Sequence, residues 1–307
     1  MLQRGRGTVR TLFVAVAAVL LAACVAVPPP APELERLTAS DCTALPLRQW
    51  LPAGSPTAVV VALHGFADHS GAFASPASAW AAAGVVVYAY DQRGFGASNS
   101  PGIWRGTSVM VADMEQAVAQ LRARHPGAPV FLVGESMGAA VVLAGLGNAA
   151  FPAVDGIVLV APAVWGWHAL HPAAGAALRF LARLIPFVGV EASGPGGIAS
   201  DNEAARTALA RDPLVLHTVR LDMVVGMVDL MDQALRNAPR VDDSMLVLYG
   251  ARDGVIPRAA RDLFLSGLGP DVPVRQYSAG YHMLLRDLSA DVVVQDVLAW
   301  MQARGAR

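Results

Sequence analysis

The chain contains no lysine: all 23 of its basic residues are arginine, set against 24 acidic residues for a formal net charge of −1 over 307 residues. The arginines are scattered, so the basic stripe or patch that marks a nucleic-acid-binding protein is absent. The missing lysine reads as coding bias rather than chemistry. Charge is scarce at 15%, aromatics stand at 7% and hydrophobic residues at 54%. Such a chain can bury a large single core, and neither a repeat nor a disordered stretch stands out. Long apolar runs are also lacking. The uncharged stretch at 12–27 covers 16 residues, short of the roughly 20 that a membrane-spanning helix needs. Only two cysteines are present, Cys24 and Cys42.

That uncharged stretch follows Arg4, Arg6 and Arg10 and has the form of a signal peptide. It ends in Leu21-Ala22-Ala23-Cys24, which resembles the lipobox of bacterial lipoproteins. The resemblance implies cleavage before Cys24, acylation of its sulfur and of the new N-terminus, and a membrane anchor of three acyl chains, where two signals already suffice. Val25 and Ala26, with no aspartate behind the cysteine, resemble the outer-membrane-sorted class, so the expected location is the cell envelope, facing the periplasm. The alternative is a plain secretory signal that contains a cysteine. Cleavage removes three arginines and no acid, taking the charge from −1 to −4. The proline-rich tract 27–32 then serves as an extended tether. With Cys24 lipidated, Cys42 is left alone and no intrachain disulfide can form; Cys42 is expected to be inert.

Beyond the tether, apolar runs alternate with helical patterns. Strands are expected at 58–63, 85–90, 129–134, 156–161, 245–249 and 274–277, and helices near 74–83, 109–124, 137–148, 258–268 and 289–303. The central runs are continuously apolar and β-branched, as in strands buried on both faces. The alternation specifies an α/β protein with a doubly wound, mostly parallel sheet. It breaks down between about 164 and 240, where helical segments follow one another without a strand, as in a helical cap inserted over the carboxyl edge of the sheet. The expected organisation is therefore a signal peptide at 1–23, a lipidated cysteine and tether at 24–44, a catalytic core at 45–163 and 241–307, and the cap at 164–240.

The chemistry centres on Gly134-Glu135-Ser136-Met137-Gly138. An apolar strand precedes it and a helix follows, the context of a nucleophile elbow, in which two glycines leave room for a sharp turn that exposes the serine hydroxyl. A serine at neutral pH needs a base, and the base an orienting acid. Asp253 follows one strand candidate and His282 the next, in the order serine, acid, histidine that elbow hydrolases use. Parallel strands deliver their ends to one edge, so the three should converge. The developing oxyanion needs donors, for which the backbone N–H groups of Met137 and of Phe66, in the loop after the first strand of the core, are the candidates.

Five motifs then coincide: His64-Gly65-Phe66 with Asp68-His69-Ser70, the stretch from Asp91 through Arg93 and Gly94 to Ser98, the elbow itself, Gly250 to Asp253, and Gly280-Tyr281-His282. In order, over roughly residues 45 to 305, they resemble the monoacylglycerol lipase and lysophospholipase family of α/β-hydrolases. Ser200-Asp201-Asn202 and the run from Arg211 to Val215 are similar to that family as well. The resemblance implies an α/β-hydrolase fold and a serine ester hydrolase acting, without a cofactor or metal, on a lipid with one acyl chain, and it makes the Asp91 stretch a structural turn. The family shades into carboxylesterases and serine aminopeptidases, so mechanism transfers more securely than substrate.

Several features carry plainer readings. His168 and His171 stand at metal-like spacing without a third ligand, and His64 is expected to support the oxyanion loop rather than act as a base. Leu178, Leu181, Leu184 with Ile185, and Val188 form one apolar stripe, and Met223, Met227 and Met231 another; such stripes are commonly packing, with an acyl tunnel as the alternative, and Trp165 and Trp167 are possible wall residues. An aminopeptidase would use acidic cap residues to hold an amine, with Glu191, Asp201, Glu203 and Asp212 available. A non-catalytic envelope lipoprotein is disfavoured because no catalytic position is missing. Dehalogenase and epoxide hydrolase chemistries use an aspartate where this chain has Ser136.

Overall fold

The computed structural model describes residues 35–192 and 197–305; the expected signal peptide, Cys24 and the proline tract lie outside them. Among the described residues the strands are β1 (Glu35–Thr38), β2 (Ala44–Trp50), β3 (Ala58–Leu63), β4 (Val85–Tyr90), β5 (Val130–Glu135), β6 (Gly156–Val160), β7 (Gly189–Glu191), β8 (Thr218–Arg220), β9 (Met245–Gly250) and β10 (Val274–Tyr277). The helices are α1 (Ala74–Ala82), α2 (Thr107–Arg124), α3 (Met137–Gly145), α4 (Pro172–Leu184), α5 (Glu203–Arg211), α6 (Leu221–Arg236), α7 (Arg258–Ser266) and α8 (Ala290–Gly305).

Eight strands form one sheet in the order β1-β2-β4-β3-β5-β6-β9-β10. All neighbours from β4 to β10 are parallel, whereas β1 and β2 run antiparallel at one edge. Every residue of β3, β4, β5, β6 and β9 is buried, because helices cover both faces of a parallel sheet. Alternate side chains feed two cores. Val59, Val61 and Leu63 pack with Met114 and Val141 of α2 and α3. Val60 and Ala62 pack on the other face with Trp80 and Val297 of α1 and α8. The Trp80 indole donates to the carbonyl of Val294 at 3.0 Å, tying α1 to α8. This is the doubly wound α/β architecture that the alternation predicts.

Two expectations need correction. Residues 35–44 do not belong to a tether. Glu35 to Thr38 pair with Leu47 to Ala44, and Leu37 is buried in the core. With one apolar side chain in Glu-Arg-Leu-Thr, β1 leaves no periodicity to read. Its turn is fastened from a distance, since Arg93 donates to both carboxylate oxygens of Asp41 and to the Thr43 hydroxyl while also gripping Asp113 bidentately.

The segment between β6 and β9 is likewise not purely helical. It carries α4, α5 and α6, but β7 and β8 pair antiparallel within it. Three-residue strands are too short for alternation to register. The segment touches the loops at the carboxyl edge of the sheet: the Leu216 N–H donates to the carbonyl of Ala67 at 2.8 Å, and the Met283 N–H to that of Ala199 at 2.9 Å.

Candidate active site

Ser136 sits between β5 and α3 at φ 53° and ψ −111°, a conformation that L-residues avoid and that persists only where surroundings enforce it. Here they do. The Ser136 N–H donates to the carbonyl of Val160 at 2.9 Å, and its own carbonyl accepts from Ala140 and Ala163, each at 3.1 Å. The flanking glycines are steric requirements. A Cβ on Gly138 would stand 2.1 Å from the carbonyl oxygen of Leu63, and one on Gly134 would stand 2.6 Å from the backbone of Ala139.

The loops after β9 and β10 bring Asp253 and His282 to this turn. His282 Nε2 lies 2.9 Å from Ser136 Oγ, and Nδ1 lies 2.9 Å from Asp253 Oδ2. The other carboxylate oxygen of Asp253 accepts the N–H groups of Val255 and Ile256, at 2.8 and 3.0 Å. Burial opposes the Asp253 charge, but the hydrogen bond from His282, with those two N–H groups, holds its carboxyl below the ordinary range. An ionised carboxylate only accepts, so the imidazole proton resides on Nδ1 and Nε2 is left to take the Ser136 proton.

The oxyanion loop follows β3. Gly65 passes so near the elbow that a Cβ on it would lie 3.5 Å from that of Ser136. Neither the Phe66 nor the Met137 N–H has an acceptor among the described residues, so both are free to serve a ligand. His64, fully buried, braces the loop. The Gln92 N–H donates to its Nε2 at 3.0 Å, which puts the ring proton on Nδ1, 2.8 Å from the carbonyl of Gly65. Burial lowers its pKa against the pull of Asp91 and Asp68, keeping it neutral. Asp91 accepts the N–H groups of Ser70 and Ala97, each at 2.8 Å, the work of a turn residue.

A cavity of about 300 Å³ reaches this loop at Phe66. Trp165, Leu178, Val190, Met227 and Met231 are among its walls, and its lining is almost wholly apolar. The two stripes therefore divide. Leu178, Met227 and Met231 line the cavity, whereas Met223 is buried core and Leu181, Leu184, Ile185 and Val188 face outward. Trp167 stacks under Arg179, 3.8 Å from ring centroid to guanidinium, outside the cavity wall. His171 caps α4, accepting from the Ala173 N–H.

The family described as "Serine aminopeptidase, S33" matches residues 54–289. The chain belongs to the S33 hydrolase family. A monoacylglycerol lipase of Mycolicibacterium smegmatis is 30% identical over 256 residues, 82% of this chain and 90% of that one. The human monoglyceride lipase is 26% identical over 287 residues, covering 90% of this chain and 93% of its own. Among solved structures, the monoacylglycerol lipase of Paleococcus ferrophilus superposes with a TM-score of 0.72 at 22% identity, over 85% of this chain and 99% of that one. A soluble variant of the Saccharomyces cerevisiae monoglyceride lipase gives 0.74 at 17%, over 91% and 97%. At those identities the superpositions establish the fold: this S33 member is an α/β-hydrolase.

Sequence reasoning passed over a buried polar layer behind the serine. Glu135 is 2% exposed. Arg286 reaches its Oε2 at 3.3 Å and Asp68 Oδ2 at 2.8 Å. The next residue, Asp287, accepts the Ser200 hydroxyl at 2.6 Å and the Tyr281 N–H at 2.7 Å, fastening the loop of His282 to the inserted segment. A charged residue ending an otherwise apolar strand was the available signal.

Proposed function

We propose that the protein is a serine ester hydrolase that cleaves monoacylglycerols, and esters of similar single-chain form such as lysophospholipids, through an acyl-enzyme. The observation that carries this reading is the unbroken chain of hydrogen bonds from Asp253 through His282 to Ser136, close to an apolar cavity that reaches the oxyanion loop at Phe66. Ser136 attacks the ester carbonyl while His282 Nε2 takes its proton; Asp253 stabilises the resulting imidazolium. The oxyanion rests on the Phe66 and Met137 N–H groups. His282 returns the proton to the departing alcohol, then activates the water that releases the acyl chain. The monoacylglycerol lipase names of the relatives support the substrate, and the cavity supports a chain of several methylenes, each contributing about 0.8 kcal/mol on burial.

The test is hydrolysis of p-nitrophenyl esters from acetate to palmitate, with Ser136→Ala as control. Rates that peak at medium or long chains and vanish in the variant support the proposal. Rates confined to acetate and butyrate contradict the lipid substrate, and rates that survive in the variant contradict the nucleophile.

A second reading, an aminopeptidase, is favoured by one residue: Glu191 lies on the cavity wall, where a carboxylate could hold an amine. Of the other candidate acids, Asp201 accepts the Leu288 N–H, and Asp212 pairs with His69 and accepts the Leu214 N–H. Release of naphthylamine from amino-acyl naphthylamides would favour it.

We also propose that the enzyme is lipid-anchored in the cell envelope through Cys24. The lipobox-like sequence supports this, as do Phe180, Leu184 and Phe187, which are exposed in or just after α4 and suited to a lipid surface. Mass spectrometry of the mature protein showing no acyl group would end that reading.

A further inference from the structure

The two oxyanion donors belong to different segments, Phe66 on the loop after β3 and Met137 at the start of α3, 71 residues apart in sequence. Neither a helix nor a shared turn fixes their spacing. Each segment, however, bears a buried carboxylate close to its donor: Asp68 lies two residues beyond Phe66, and Glu135 two residues before Met137. One guanidinium spans both, with Arg286 Nη1 2.8 Å from Asp68 Oδ2 and Nη2 3.3 Å from Glu135 Oε2. Asp68 in turn accepts the His69 N–H at 2.8 Å, so the grip extends along the loop. Arg286 itself comes from the loop of His282, four residues later.

We propose that Arg286 is a positioning residue that sets the separation of the two oxyanion donors, and with it the stabilisation of the tetrahedral intermediate. The inference rests on the ester-hydrolase reading above. A planar, rigid fork holds two carboxylates at fixed separation in a way that a flexible ammonium cannot. Burial works against the Arg286 charge, yet the carboxylates of Glu135 and Asp68 hold the guanidinium more firmly protonated than usual. An oxyanion hole acts through placement, and removing one donor costs about 10²–10³ in kcat. Loosening the spacing of both should therefore lower kcat and leave substrate binding nearly unchanged.

Truncating Arg286 would leave two buried carboxylates side by side and could unfold the chain, so the test uses Arg286→Lys, which keeps the charge, together with Glu135→Gln, which keeps shape and an acceptor. Rates are normalised to active sites titrated with a fluorophosphonate, on p-nitrophenyl butyrate. The expected result for Arg286→Lys is a kcat per titrated site lowered about ten- to a hundredfold, with KM within about twofold and an equal loss of affinity for a trifluoromethyl ketone, which mimics the intermediate. Glu135→Gln should show the same pattern more weakly. A wild-type kcat per titrated site in both variants, or a loss accounted for wholly by fewer titratable sites, would overturn the proposal by reducing Arg286 to a structural role. Absence of esterase activity in the wild type would instead defeat the reading on which it rests.

Discussion

At the scale of single residues, the chemistry rests on one serine held in a strained conformation and one histidine held in a single tautomer. Asp253 controls the second. Asp253→Asn should keep the shape of the site but present an amide where Nδ1–H needs an acceptor, lowering kcat by about 10⁴ while leaving KM close to wild type; steady-state kinetics on a butyrate ester checks this. Because the folded environment lowers the Asp253 pKa, its charge stabilises the fold above the ordinary aspartate range, near pH 4, and that contribution disappears as the pH falls through the lowered value. Thermal melts should therefore show wild type losing its advantage over Asp253→Asn on acidification below about pH 4. Ser136, Asp253 and His282 were legible in the sequence because each ends a strand or a strand's loop in a fixed order. Glu135 and Arg286 were not. They stand 151 residues apart, the middle position of G-x-S-x-G accepts many side chains, and nothing local marks a distant buried partner.

At the scale of elements, legibility followed burial in the centre of the sheet, while the exposed edge strand β10 was legible from its place in the strand–helix alternation. The runs that became β3, β4, β5, β6 and β9 are apolar at nearly every position, since both faces of a parallel strand are covered. Strands β1, β7 and β8 lie at an edge or outside the main sheet and carry no such run. The hairpin of β1 and β2 depends instead on Arg93, whose partner Asp113 has a side chain only 3% exposed. Arg93→Met should leave that carboxylate buried and unpaired, at a cost of about 3–5 kcal/mol; urea unfolding followed by tryptophan fluorescence measures it. The stripe on α4 shows a different limit. Helical spacing marks Leu178, Leu181 and Leu184 as one stripe, yet Leu178 lines the cavity while Leu181 and Leu184 are exposed, and Ile185 and Val188 fall beyond the end of α4. Filling the cavity with Leu178→Trp should lower the rate on palmitate esters at least about tenfold and spare acetate, because the excluded methylenes forfeit about 0.8 kcal/mol each.

At the scale of the whole molecule, a lipid-directed hydrolase with an outward-facing apolar surface would work best where its substrate collects. If Cys24 is acylated, as proposed, the full-length enzyme expressed in a Gram-negative host should sediment with membranes. Cys24→Ser should shift it to the soluble fraction, with kcat on soluble esters unchanged; fractionation followed by immunoblotting decides. The family and the order of the catalytic positions were readable from end to end of the folded part. The preference between an ester of a long acyl chain and the amide of a free amino acid was not, because it depends on how Glu191 and the apolar walls of one cavity share the substrate. The most direct test is therefore the rate of oleate release from 1-monooleoylglycerol, per serine titrated, beside release of naphthylamine from alanyl naphthylamide. The account predicts rapid release of oleate, abolished by Ser136→Ala, and negligible amide cleavage. Amide cleavage that outpaces release of oleate would contradict it.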